Sequence, residues 1–165
     1  MDDSSLEDLK KKLAARLHDI PRDRIVFVGV GNRLRGDDGI GPMTIDLLEG
    51  RVRHALDADG VPENFTGIIK RLNPSAIVFI DALDFGSSPG NMRLIEAADV
   101  QGYGSSTHNL PLDISMEYLA HETSADVFLV GVQPERIGEG EGVSPSLAEP
   151  LKKLADVLSA VPGNG

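Results

Sequence analysis

Three runs, residues 24–31, 76–81 and 126–132, are almost unbroken stretches of β-branched, aromatic and other apolar side chains. A strand with one wet face alternates polar and apolar residues. A run without alternation must be covered on both faces, the position of a strand in a mostly parallel sheet flanked by helices. Between the runs, Ile40, Met43, Ile45, Leu47 and Leu48 fit a helix that tolerates Pro42 in its first turn and stops at Gly50. Residues 112–121 pattern as another helix, and 145–158 as a closing one with Ser144 as its candidate cap. Residues 52–58 read as a further strand, and 63–72 as a short helix with Phe65, Ile68 and Ile69 inward. Residues 92–96, after a turn-forming stretch, read as a shorter antiparallel edge strand. The first run is expected at the centre of the sheet. The alternation predicts an α/β fold, with helices on both faces of a mostly parallel twisted sheet of about five strands.

Ahead of the first strand, Leu6, Leu9, Leu13, Leu17 and Ile20 recur at three- and four-residue spacing behind Ser4 and Ser5, and Pro21 follows. This reads as an amphipathic helix capped by those serines and ended by the proline. Residues 1–22 are therefore expected to form an N-terminal helical extension, and residues 23–165 one α/β domain, since 165 residues leave room for about one domain. With 16 Lys and Arg against 26 Asp and Glu the net charge is −10, which repels nucleic-acid phosphates and anionic membrane surfaces. The absence of cysteine excludes disulfides, thiolate metal sites and thiol nucleophiles, and suits a reducing compartment. The first residues carry acids and a charged helical pattern, with no apolar signal core, and no run reaches the ~18 apolar residues of a membrane span. A cytoplasmic protein without membrane insertion is expected.

In sheets of this kind the ligand crevice lies beyond the carboxyl ends of the strands. The first strand runs into Gly31-Asn32-Arg33-Leu34-Arg35-Gly36-Asp37-Asp38-Gly39. A dinucleotide fingerprint fails at Leu34, and no lysine follows the glycines as a phosphate loop requires. One acid at a helix start serves as an N-cap for ~1 kcal/mol; two in series leave one that can point into the crevice. Asp81 ends an apolar strand, where an ionised acid needs a partner, a metal or a structural cap. Asp84 reads as loop surface. His108 stands in a polar loop before a helix, either as a solvated cap or as a functional imidazole. Asp38, Asp81 and His108 follow three different elements of one sheet. Two carboxylates and an imidazole suit a borderline divalent ion or acid–base chemistry. His18, His54 and His121 read as surface or capping residues. Gly86-Ser87-Ser88-Pro89-Gly90 satisfies the G-x-S-x-G pattern of a nucleophile elbow, but it lies between two extended segments and reads as a turn.

Taken in order, Gly31-Asn32, Leu34, Gly36-Asp37-Asp38-Gly39, Gly41-Pro42, Ile80-Asp81-Ala82, Pro89-Gly90, Thr107-His108-Asn109 and Gly131-Val132-Gln133-Pro134 resemble the motifs of nickel–iron hydrogenase maturation endopeptidases, over about residues 24–158. Gly60-Val61-Pro62-Glu63-Asn64 resembles the branch that processes large subunits of the formate-hydrogenlyase type. The resemblance implies a three-layer α/β/α sandwich and a metal-dependent or aspartic-type protease. Its substrate would be the hydrogenase large-subunit precursor, which loses a C-terminal extension after nickel insertion. It places Asp38 and Asp81 as the two metal-contacting acids and His108 as the imidazole ligand, all three catalytic, with nickel supplied by the precursor. A non-proteolytic assembly factor that checks the same precursor for nickel is the alternative from another class. The departures from the family pattern are the extra N-terminal helix and the loop arginines Arg33 and Arg35, which either meet a carboxylate on the tail or stay solvated. Asp37 is expected to cap the following helix.

Overall fold

The computed structural model describes residues 3–103 and 111–161. In chain order the elements are α1 (Asp3–Leu17), β1 (Ile25–Gly29), α2 (Ile40–Leu48), β2 (His54–Asp57), α3 (Thr66–Arg71), β3 (Ala76–Ala82), β4 (Met92–Glu96), α4 (Leu112–Thr123), β5 (Asp126–Val132) and α5 (Ala148–Ser159). The five strands form one sheet in the order β2-β1-β3-β5-β4. All pairs are parallel except β4 with β5, which is antiparallel, as the turn before β4 led one to expect. β3 is the central strand rather than β1, which lies between β2 and β3.

The apolar runs are continuous because their strands are covered twice. Period-two alternation sends Phe27, Val78, Ile80, Phe128 and Val130 to one face, where they meet Leu9, Leu13 and Leu17 of α1, Ile40, Ile45 and Leu48 of α2, and Leu151, Leu154 and Leu158 of α5. Val26, Val28, Ile77, Phe79 and Leu129 go to the other face, against Ile69 of α3 and Leu112, Met116 and Leu119 of α4. The result is a three-layer α/β/α sandwich. Ile68 differs from the inward expectation: it points away from the core and is exposed.

The N-terminal helix, read as an extension in the sequence, contributes three fully covered leucines to the core of the sheet. Each such burial is worth about 1.5–3 kcal/mol. Ser5 lies inside the helix and does not cap it. Its hydroxyl accepts from the Met92 N–H at 2.7 Å and donates to the Met92 carbonyl at 3.0 Å, so α1 is tied to the edge strand β4. Arg16 adds a fork to Asp126 and Glu96 and lies 4.7 Å over the Phe128 ring. Among the described residues no helix is long and apolar enough to cross a membrane.

Candidate active site

The chain leaves β1 for β2 on one side and then returns to β3 on the other, so the strand order reverses between β1 and β3. Such a switch point opens a crevice at the carboxyl ends of the two strands. A cavity of about 1100 Å³ lies there, and its wall includes Asp38, from the segment after β1, and Asp81, from the end of β3. Both are nearly covered, at 4% and 5% exposure. Asp81 follows Ile77 and Phe79 on the α4 side of the sheet, which is why the cavity opens towards Leu112 and the start of α4.

Two glycines bring Asp38 this close to the sheet. A Cβ on Gly41 would come within 2.3 Å of the Val30 carbonyl oxygen and 2.5 Å of that of Ile80, so α2 packs directly on the ends of both strands. Gly31 adopts φ +142°, and a Cβ there would fall 1.8 Å from the Asp38 carbonyl oxygen. With the backbone at Asp38 seated on Gly31, the Asp38 Oδ2 accepts the Asn32 N–H at 2.9 Å.

The wall holds further polar groups that the sequence did not mark. Asp113, in the first turn of α4, is 7% exposed and accepts a hydrogen bond from Gln101 Nε2 at 2.8 Å; both line the cavity. In the sequence Asp113 is indistinguishable from an acid placed to complement a helix dipole. Asp84 is exposed, as a loop residue should be, yet it also lines the cavity. The Gly86 backbone N–H, and then the Gln133 amide, hold its carboxyl below the ordinary range. Gln133 fastens the loop after β3 as a whole: its Oε1 accepts from the N–H groups of Phe85 and Ser87 at 2.8 and 3.2 Å. The G-x-S-x-G stretch is a turn in that loop, leading into a strand. His108 lies outside the described residues, while His18, His54 and His121 are absent from the cavity wall.

Asp37 does not cap α2. Fully buried, it accepts from the backbone N–H groups of Glu135, Arg136 and Ser144 and from the Ser144 hydroxyl, and so clamps the loop after β5 to the loop after β1. Ser144 correspondingly gives its hydroxyl to Asp37 and does not cap the closing helix. The two loop arginines also part company. Arg33 forks onto Asp46 at 2.6 and 2.8 Å and reaches Asp57 at 3.0 Å, whereas Arg35 lies on the cavity wall.

This fold has known counterparts. A family model described as hydrogenase maturation protease, HycI, matches residues 48–160. The chain belongs to the hydrogenase maturation protease family. The Hydrogenase 3 maturation protease of Escherichia coli is 29% identical over 144 residues, covering 85% of this chain and 92% of that protein. The crystal structure of the NiFe hydrogenase maturation protease HycI from Thermococcus kodakarensis superposes with a TM-score of 0.77 at 33% identity, over 86% of this chain and 94% of that one. The solution structure of the Escherichia coli endopeptidase HycI gives 0.75 at 28% identity, over 85% and 92% of the two chains. Membership in the hydrogenase maturation protease family makes the protein a hydrolase of peptide bonds. Asp81 and position 108 fall inside the matched residues and Asp38 ten positions before them, on the loop that the cavity geometry joins to Asp81.

Proposed function

We propose that this chain is the endopeptidase that removes the C-terminal extension from a nickel–iron hydrogenase large-subunit precursor after nickel insertion, and that Asp38, Asp81 and His108 recognise the nickel. One observation carries the reading: two nearly covered carboxylates from separate loops, Asp38 and Asp81, share one cavity at the switch point of the sheet. The nickel enters as part of the substrate, with its remaining ligands on the precursor, and two carboxylates with an imidazole suit a borderline divalent ion. The glycine-seated loop keeps Asp38 fixed against the sheet, and the scissile peptide is positioned beside the ion that both acids grip. Water then attacks the carbonyl carbon, with a carboxylate taking its proton or the ion polarising the reacting oxygen. The C–N bond breaks, leaving a new carboxylate on the mature subunit and an amine, which takes up a proton, on the released extension.

Residues 60–64 and the Hydrogenase 3 relative support a precursor of the formate-hydrogenlyase type. The cysteine-free composition suits the cytoplasm as the place of action. The deciding experiment incubates the purified protein with nickel-loaded and nickel-free precursor and follows intact mass. Loss of the extension in the loaded sample alone is expected. Binding of the loaded precursor without any mass loss would replace the peptidase by a nickel-checking assembly factor.

A further inference from the structure

We propose, on the reading of the cavity as the peptidase site, that Arg35 is a specificity-determining residue that holds a carboxylate of the precursor's C-terminal tail at the cavity mouth. That carboxylate comes from an acidic side chain of the tail or from the chain terminus. The case starts from two arginines two positions apart with different fates. Arg33 spends its fork on Asp46 and Asp57, which keeps the guanidinium firmly charged and occupied. Arg35 is exposed and lines the cavity, and its guanidinium has no hydrogen-bond or ion-pair partner among the described residues.

The base of Arg35 is nonetheless fixed. Its N–H donates to the Asn32 carbonyl at 3.1 Å, and its carbonyl accepts from Asp38 at 3.2 Å and from Gly138 at 3.3 Å. On either side, Gly140 donates to the Leu34 carbonyl at 3.1 Å and Gly36 donates to the Gly140 carbonyl at 2.8 Å. A ligand that engages this side chain therefore orders a few rotamers and no backbone, which keeps the entropic cost of binding low.

Charge sets the polarity of the ligand. Among the described residues the cavity wall carries Asp38, Asp81, Asp84 and Asp113, with Arg35 as the one basic side chain. The acids repel a carboxylate from the interior and favour the metal-bearing part of the precursor there, whereas the guanidinium fork matches a carboxylate bidentately. An apolar neighbour completes the subsite. Ile137 lines the cavity and is 42% exposed, and a backbone bridge between Gly36 and Ile137 holds the two loops together. A tail lying across it excludes water from the ion pair and strengthens it relative to a fully solvated one.

The test compares wild type, Arg35→Ala and Arg35→Glu on nickel-loaded precursor, with thermal melts to show that each variant is folded. The precursors are the native one, versions with each tail Asp or Glu changed to Lys, and one with neutral residues appended to move the terminal carboxylate. Arg35→Glu is expected to raise KM at least tenfold and Arg35→Ala less, with the difference shrinking at high salt. One acid-to-Lys precursor restoring Arg35→Glu identifies a side-chain carboxylate; loss of wild-type affinity only for the lengthened tail identifies the terminus. A KM for Arg35→Glu within a factor of two of wild type overturns the proposal. So does a loss confined to kcat, or one that no change in the tail mirrors. If wild type leaves the precursor uncut, the peptidase reading fails, and the dissociation constants of the same pairs, held to the same tenfold criterion, still decide the role of Arg35.

Discussion

Leu9, Leu13 and Leu17 of α1 bury apolar surface against the sheet, and the cation beside them, Arg16, is neutralised by Asp126 and Glu96. At the carboxyl ends of the same strands, Asp38, Asp81 and Asp113 each keep less than a tenth of their surface exposed and stand on the wall of one cavity. The first arrangement gains free energy from every contact. The second spends desolvation energy on groups that can ionise, which a fold retains where binding or chemistry needs them. The α1 side and the rim are thus separable: one sets how firmly the protein folds, the other what it does once folded.

Single substitutions give the largest effects with which to break this division. Asp38→Ala or Asp81→Ala is expected to abolish release of the extension, followed by mass, while the chain still unfolds cooperatively in a thermal melt. Leu13→Ala is expected to cost about 2–5 kcal/mol in urea unfolding and to leave kcat/KM per folded molecule at the wild-type value well below its melting point. Processing by both Asp variants would remove the rim from the reaction. A Leu13 variant that is folded but inactive would show that the two regions are coupled.

Asp37 sharpens the comparison because it bears on both stability and the rim. It sits beside Asp38 in the chain, yet its oxygens face inward and satisfy four donors of the loop after β5. Removing a buried acceptor leaves its donors unpaired at about 1–3 kcal/mol each before relaxation. Asp37→Ala should therefore lower stability by at least about 3 kcal/mol and slow processing as well, since the loops that carry Asp38 and Ile137 lose their clamp. Urea unfolding and cleavage rates measured on the same preparation check both losses. A full loss of cleavage at unchanged stability would make Asp37 a participant in the reaction.

The layers and the sheet were legible because period and burial are local: the apolar runs at 24–31, 76–81 and 126–132 mark β1, β3 and β5, with β3 running one residue further, to Ala82. Strand order was not, and β1 yielded the centre to β3 because pairing depends on how the helices cross, which composition does not encode. Asp38 and Asp81 were found by their place after strands, and the structure brings both to one cavity. Asp113, Gln101 and the clamp at Asp37 were hidden, since each acts on residues distant in sequence. An aspartate at a helix start reads as a cap until its partners are known.

Ser88, further along the loop that carries Asp84, offers the smallest effect and the clearest contrast with the cavity wall. Its turn matches a serine-nucleophile pattern, yet the Asn91 N–H bonds to the Ser88 carbonyl at 3.0 Å and the chain then enters β4, so no helix follows to present the hydroxyl as an elbow requires. The loop is held from outside itself, by Gln133 on Phe85, Ser87 and Asp84. With its position secured there and its side chain exposed, Ser88→Ala should leave stability within about 0.5 kcal/mol and processing within a factor of two of wild type. Lost cleavage in this variant, with an unchanged melt, would make the reaction serine-dependent and turn Asp38 and Asp81 into bystanders of a neighbouring site.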